Sequence, residues 1–122
     1  MTGLQYINFI CDIYEVPSKM RKQNFEKLAL AFQMGPHLNN LISSYSHGMK
    51  QKLALIAAFS HTPKLLILDE PLHGLDTYNR RRVKKIIEAF CHRRDKTMIM
   101  VTHYENELPQ TITNRLFLKR NR

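Results

Sequence analysis

The sequence predicts an α/β protein in which a helical first half is followed by a strand–helix–strand unit with parallel strands. Two observations carry this. Apolar side chains recur at three- and four-residue steps through much of residues 4–60, the spacing that lines one face of a helix. Beyond residue 63 the pattern changes to two short continuous apolar runs flanking an amphipathic stretch, as in a parallel unit crossed over by a helix.

Each element follows from its residues. Leu4, Ile7, Ile10, Cys11 and Tyr14 place an amphipathic helix over residues 4–15. Pro17 and Ser18 end it, and Ser18 is expected to cap a second helix that runs to about Met34. Phe25, Leu28, Ala29 and Phe32 share one face of that helix, and Gly35-Pro36 stops it. A loop with Leu38, Leu41 and Ile42 and a polar run over residues 43–48 lead to a Leu- and Ala-rich helix over residues 49–60. Residues 64–70 then read as a strand buried on both faces and closed by two acids, where Pro71 turns the chain. Residues 78–92 form a helix with Val83, Ile86, Ile87 and Phe90 inward, residues 97–102 a second buried strand, and residues 115–119 a weaker third. Such units carry their functional groups at the carboxyl ends of the strands, where Asp69, Glu70 and His103 fall.

Composition narrows the function classes. With 122 residues, 43% of them apolar, the chain fits one ordinary globular domain. Its longest apolar run, residues 53–59, is far short of the roughly 20 residues that span a bilayer. No charged leader precedes an apolar stretch, so a cytosolic protein is expected. Cys11 and Cys91 are isolated and suggest neither a disulfide framework nor a cysteine zinc site. The net charge of +9 favours phosphate-bearing partners or an anionic surface. Much of it lies in residues 80–96, where Arg80, Arg81, Arg82, Lys84, Lys85, Arg93, Arg94 and Lys96 face only Glu88 and Asp95. A solvated helix face is the plain reading and a partner-docking surface the next. Tyr78 and Phe90 are expected to look inward, which leaves no stacking platform, and no nucleic-acid partner is expected.

Two adjacent acids at the end of a buried strand are costly unless a cation or hydrogen-bond donors offset their desolvation. A bound Mg²⁺ is the usual offset, with the first acid holding the ion and the second orienting a water. The run Leu65-Leu66-Ile67-Leu68-Asp69-Glu70 therefore reads as a Walker-B-type element.

With its neighbours, this element resembles the nucleotide-binding domain of ABC-type (ATP-binding cassette) ATPases. Tyr45-Ser46-His47-Gly48-Met49-Lys50-Gln51-Lys52 resembles the signature loop, Gly74-Leu75-Asp76 the D-loop, and Val101-Thr102-His103 the switch loop, all in the family order. The resemblance implies a partial P-loop NTPase fold, with a signature-bearing helical subdomain over residues 1–60 and the C-terminal part of the ATPase core over residues 61–122. It implies ATP and Mg²⁺ as cofactors, with Asp69 at the metal and Glu70 polarising the attacking water. Tyr45, Ser46, His47, Gly48 and Met49 would then contact the γ-phosphate of ATP on an opposite subunit, Asp76 would reach the dimer interface, and His103 would sense the γ-phosphate. The implied partners are a second nucleotide-binding subunit and a membrane-embedded transporter subunit, with the chain on the cytoplasmic face. The first half is most similar to ATPases of drug and ion exporters, the second to tandem-cassette ATPases associated with molybdate transport.

The sequence departs from the commoner Leu-Ser-Gly-Gly-Gln signature, with His47 for the first glycine and Met49 for the glutamine. A side chain at residue 47 is a strain only if the loop needs positive φ there. None of the glycines at 3, 35, 48 and 74 precedes a lysine, so the Gly-x-x-x-x-Gly-Lys-[Ser/Thr] phosphate cradle is absent from these residues. The expectation is a C-terminal part of a cassette, its N-terminal strands missing, inactive alone, marginally stable and exposing apolar surface. The alternative is a non-catalytic module that docks on a separate cradle-bearing chain.

Overall fold

The computed structural model describes residues 1–61, 63–93 and 95–102. Among these residues, four α-helices, two short 3₁₀ turns and two strands follow in the order α1 (Gly3–Ile13), α2 (Ser18–Ala31), the 3₁₀ turns Gly35–His37 and Ile42–Ser44, α3 (His47–Ser60), β1 (Leu65–Asp69), α4 (Thr77–Cys91) and β2 (Thr97–Val101).

Helix α1 starts at a reciprocal capping box. Thr2 Oγ1 accepts from the Gln5 amide at 3.2 Å, and the Gln5 side chain accepts from the Thr2 N–H at 2.8 Å. Helix α2 begins one residue earlier in its capping than expected, because Pro17 occupies the cap position and Ser18 is already helical. It also ends earlier, with Phe32 as its C-cap. Glu15 and Gln33 both take the left-handed conformation just past these helices, with φ of 56° and 58°. There Val16 N–H returns to Cys11 O at 2.9 Å and Met34 N–H to Ala29 O at 2.8 Å, which closes the carbonyl end of each helix. Gly35-Pro36 thus opens a 3₁₀ turn instead of stopping the helix.

The two strands pair in parallel, with Leu65 opposite Thr97 and Asp69 opposite Val101, as the strand–helix–strand pattern predicts. One apolar cluster joins both halves of the chain and includes Ile7, Phe32, Ile56, Leu66, Leu68, Val83 and Ile87. Edge-to-face packing of Phe59 on Phe90, with centroids 5.7 Å apart, links α3 to α4.

The expectation that both strands are buried on two faces is corrected. Leu66 and Leu68 are buried, but Leu65, Ile67 and Asp69 alternate with them on an open face, and Ile99 and Val101 extend that face on β2. A strand presents successive side chains to opposite sides, and the core lies on one side of this pair. The predicted third strand over residues 115–119 lies outside the described residues.

Candidate functional site

The signature-like segment builds the N-terminus of α3. Ser46 is its N-cap, and its Oγ accepts from the Met49 amide at 3.2 Å. The helix begins at His47, two residues before the expected start, so Gly48 sits inside the first turn. The N–H groups of His47 and Gly48 find no acceptor among the described residues, as expected of a first helical turn. Positive φ occurs elsewhere, at Glu15, Gln33, Glu70 and Gly74, so the histidine at residue 47 carries no backbone strain. Ser46 and His47 are exposed, and Gly48 and Met49 half-buried. Tyr45 is different. Its side chain is buried, and its hydroxyl donates to His37 O, so the ring packs inward while its neighbours face out. Burial raises the Tyr45 phenol, partly countered by a hydrogen bond from the Gly3 backbone.

The strand-end acids lie beside this helix. Asp69 is the last residue of β1 and is exposed, while Glu70 is the first residue beyond it and half-buried. The two acids are therefore not a buried pair among the described residues, because Asp69 stands on the open face of the sheet. Glu70 has a φ of 47°, and its N–H donates to Val101 O at 2.7 Å. The chain then turns tightly, with His73 N–H donating to Glu70 O at 3.1 Å and Leu75 N–H to Leu72 O at 3.3 Å.

This turn packs on the start of α3. A Cβ built on Gly48 would lie 3.1 Å from Gly74 O, and one on Gly74 would lie 2.6 Å from His47 Cδ2. The rings of His47 and His73 meet edge to face with centroids 5.5 Å apart. Asp76 then caps α4, its Oδ1 accepting from the Asn79 amide at 2.8 Å and from Asn79 Nδ2 at 3.0 Å. The structure thus brings Ser46, His47, Gly48, Asp69, Glu70 and Asp76 to one end of the α3–β1 layer. His103 lies outside the described residues.

Sequence reasoning missed Gln51. Its Nε2 donates to Glu70 O at 3.2 Å and to Pro71 O at 2.9 Å, joining α3 to the turn after β1. The signal available was its place in the signature-like stretch, five residues after Ser46. A correction applies on α4, where Tyr78 is 46% exposed instead of inward-facing. Arg82 lies over its ring at 5.1 Å and donates to its hydroxyl at 2.9 Å, so the exposed ring is paired with a side chain of its own helix.

A cavity of about 200 Å³ opens between α3 and β1, lined by Gln51, Ala54, Ile67, Asp69 and Pro71. A larger cleft, about 640 Å³, lies elsewhere, between α1, α2 and the first 3₁₀ turn. Leu4, Phe25, Ala29, Leu30 and Leu38 make it mainly apolar, so its chemistry does not suit a phosphate.

The model of the ABC transporter family matches residues 8–73, more than half of the chain. The chain belongs to the ABC transporter family. Among its relatives, the ergothioneine transport ATP-binding protein EgtV of Helicobacter pylori is 28% identical over 120 residues, which are 98% of this chain and 56% of that protein. The bacitracin transport ATP-binding protein BcrA of Enterococcus faecalis is 34% identical over 110 residues, 90% of this chain and 35% of its own length. A solved structure of the ATP-binding subunit of an ABC transporter superposes with a TM-score of 0.77 at 23% identity, covering 84% of this chain and 42% of that one. That likeness confirms the mixed helix and parallel-strand fold. The chain spans about half or less of these relatives' length. Among the described residues, no helix is long and apolar enough to cross a membrane.

Proposed function

We propose that this chain is part of an ATP-hydrolysing subunit of an ABC transporter and works with a phosphate cradle supplied by polypeptide outside these 122 residues. The observation that supports this is the packing of the Ser46-capped helix start on Gly74, in the turn that follows Asp69 and Glu70.

The residues fit their proposed ligands. Unpaired N–H groups of His47 and Gly48, the Ser46 hydroxyl and the positive end of the α3 dipole suit a phosphate oxygen. We assign these groups, with Met49 and the Tyr45 backbone, to the γ-phosphate of ATP held by a second nucleotide-binding subunit. The Asp69 carboxylate forms no ion pair among the described residues and is a hard oxygen donor of the kind Mg²⁺ prefers. When bound, Mg²⁺ would neutralise charge on the phosphates. Glu70 accepts the proton of the attacking water, Asp76 reaches the subunit interface as well as capping α4, and His103 contacts the γ-phosphate. Residues 1–60 form the signature-bearing subdomain and residues 61–122 part of the ATPase core. The remaining partner is a membrane-embedded transporter subunit, which sets the chain on the cytoplasmic face of the membrane.

The test mixes this chain with a cradle-bearing nucleotide-binding polypeptide and measures ATP hydrolysis. Glu70→Gln is expected to lower kcat by about 10²-fold or more, the size of a general-base contribution, while ATP binding persists. Hydrolysis unchanged by Glu70→Gln would leave the non-catalytic docking module as the better reading.

A further inference from the structure

We infer that Gln51 is a positioning residue for Glu70, its side-chain amide tying the acid's backbone to the helix that Ser46 caps. This rests on the proposed role of Glu70 in hydrolysis.

Glu70 occupies an unfavourable place. It is a non-glycine residue at a φ of 47° directly before Pro71. Left-handed backbone brings its Cβ close to its own carbonyl, and the ring of a following proline narrows the choice further. Such a conformation persists only where its surroundings impose it. On one side the restraint is the sheet, through Glu70 N–H to Val101 O at 2.7 Å. On the other it is Gln51, whose Nε2 spans two consecutive carbonyls, Glu70 O at 3.2 Å and Pro71 O at 2.9 Å. One amide nitrogen has two hydrogens, so both bonds form together without competition. Gln51 is itself anchored, because Leu53 and Leu55 on the same helix are buried in the core.

The geometry gives Gln51 a consequence beyond local stability. Ser46 and Gln51 stand on one rigid helix, so a shift of the α3 N-terminus towards a phosphate pulls on the carbonyls of residues 70 and 71. The direction in which Glu70 leaves its backbone then follows the position of the signature helix. Charge is unsuited to this task in one sense only: a donor is needed, and a carboxylate at residue 51 would face two carbonyl oxygens.

The experiment has two readouts. In the full chain, amide hydrogen exchange by NMR follows His73 and Leu75, whose N–H groups close the turn. In the mixed assembly, kcat and KM for ATP are measured. Gln51→Met keeps length and removes both donors. It is expected to speed exchange at His73 and Leu75 about tenfold and to lower kcat about tenfold with KM unchanged. Gln51→Lys restores a donor and is expected to recover both within about threefold, whereas Gln51→Glu is expected to lose more than the methionine variant. Wild-type exchange and kcat in Gln51→Met would overturn the inference. So would a loss that Gln51→Lys does not restore, since packing and not donation would then be responsible. Faster exchange in Gln51→Met, with Glu70→Gln hydrolysing ATP like the wild type, would support the tie and overturn the role given to Glu70.

Discussion

His47 lies across Gly74 so closely that a methyl group on residue 74 would come within 2.6 Å of the imidazole Cδ2. The start of α3 and the turn after the acid pair are therefore a single packed unit, and Gly74 is the residue that lets them meet.

Replacing that glycine is expected to be costly for two separable reasons. Gly74→Ala meets the His47 ring and forces a φ of +78° on a residue with a Cβ. The expected loss is roughly 1–3 kcal/mol, read from urea unfolding followed by circular dichroism. Adding His47→Ala removes the clash and not the backbone strain, so the double variant should recover only part of the loss.

Asp76 has a structural task whatever else it does. Asp76→Ala removes the α4 N-cap and the acceptor for the Asn79 side chain, itself buried. About 1 kcal/mol of stability should go with the cap. Asp76→Asn keeps a side-chain oxygen at the cap and should unfold at nearly the wild-type urea concentration. A drop in ATP hydrolysis in the asparagine variant, at full stability, would then report an interface role.

Alkaline pH should weaken the fold from the side of α1. Burial pushes the Cys11 thiol above its ordinary value of 9.0, an effect that nearby Arg21 opposes and Asp12 reinforces. Burial likewise raises Tyr45 above 10.0. Both groups hold their protons more tightly when folded than when unfolded. Their contribution is complete below the unfolded values and is lost as pH rises through the folded ones. Melting temperature should therefore fall as pH climbs beyond about 9, and Cys11→Ala should flatten the first part of that fall. Thiol alkylation at pH 8 should leave Cys11 unmodified until denaturant is added, since the thiolate is the reactive form.

The open sheet face should bind apolar dyes under native conditions. Leu65, Ile67, Ile99 and Val101 are each about half exposed or more and adjoin one another across the strand pair. Threonine keeps the β-branched shape that suits a strand. The double variant Ile67→Thr, Ile99→Thr should lower dye fluorescence while the unfolding midpoint changes little.

Much of this could be read along the chain. The three- and four-residue apolar spacing placed α1 to α4 within a few residues, and the two apolar runs placed β1 and β2 and their parallel pairing. Helix ends were less legible. Ser18 looked like a cap and Gly35 like a stop, yet Pro17 occupies the cap position and Gln33 reverses the chain, because these positions depend on φ, which several residue types can supply. Burial of the strands was also misjudged. An apolar run states a preference for cover, and only packing tells which face receives it.

By itself the sequence determined the element types and the order of the signature-like segment, the acid pair and the D-loop-like segment, because periodicity and motif spacing are local properties. Only the tertiary structure decided that Gln51 reaches the carbonyls of Glu70 and Pro71, that His47 rests on Gly74, and that Asp69 stands on the open face. Those relationships join residues some 19 to 27 positions apart, and they arise when α3 lies beside β1 in a packed core.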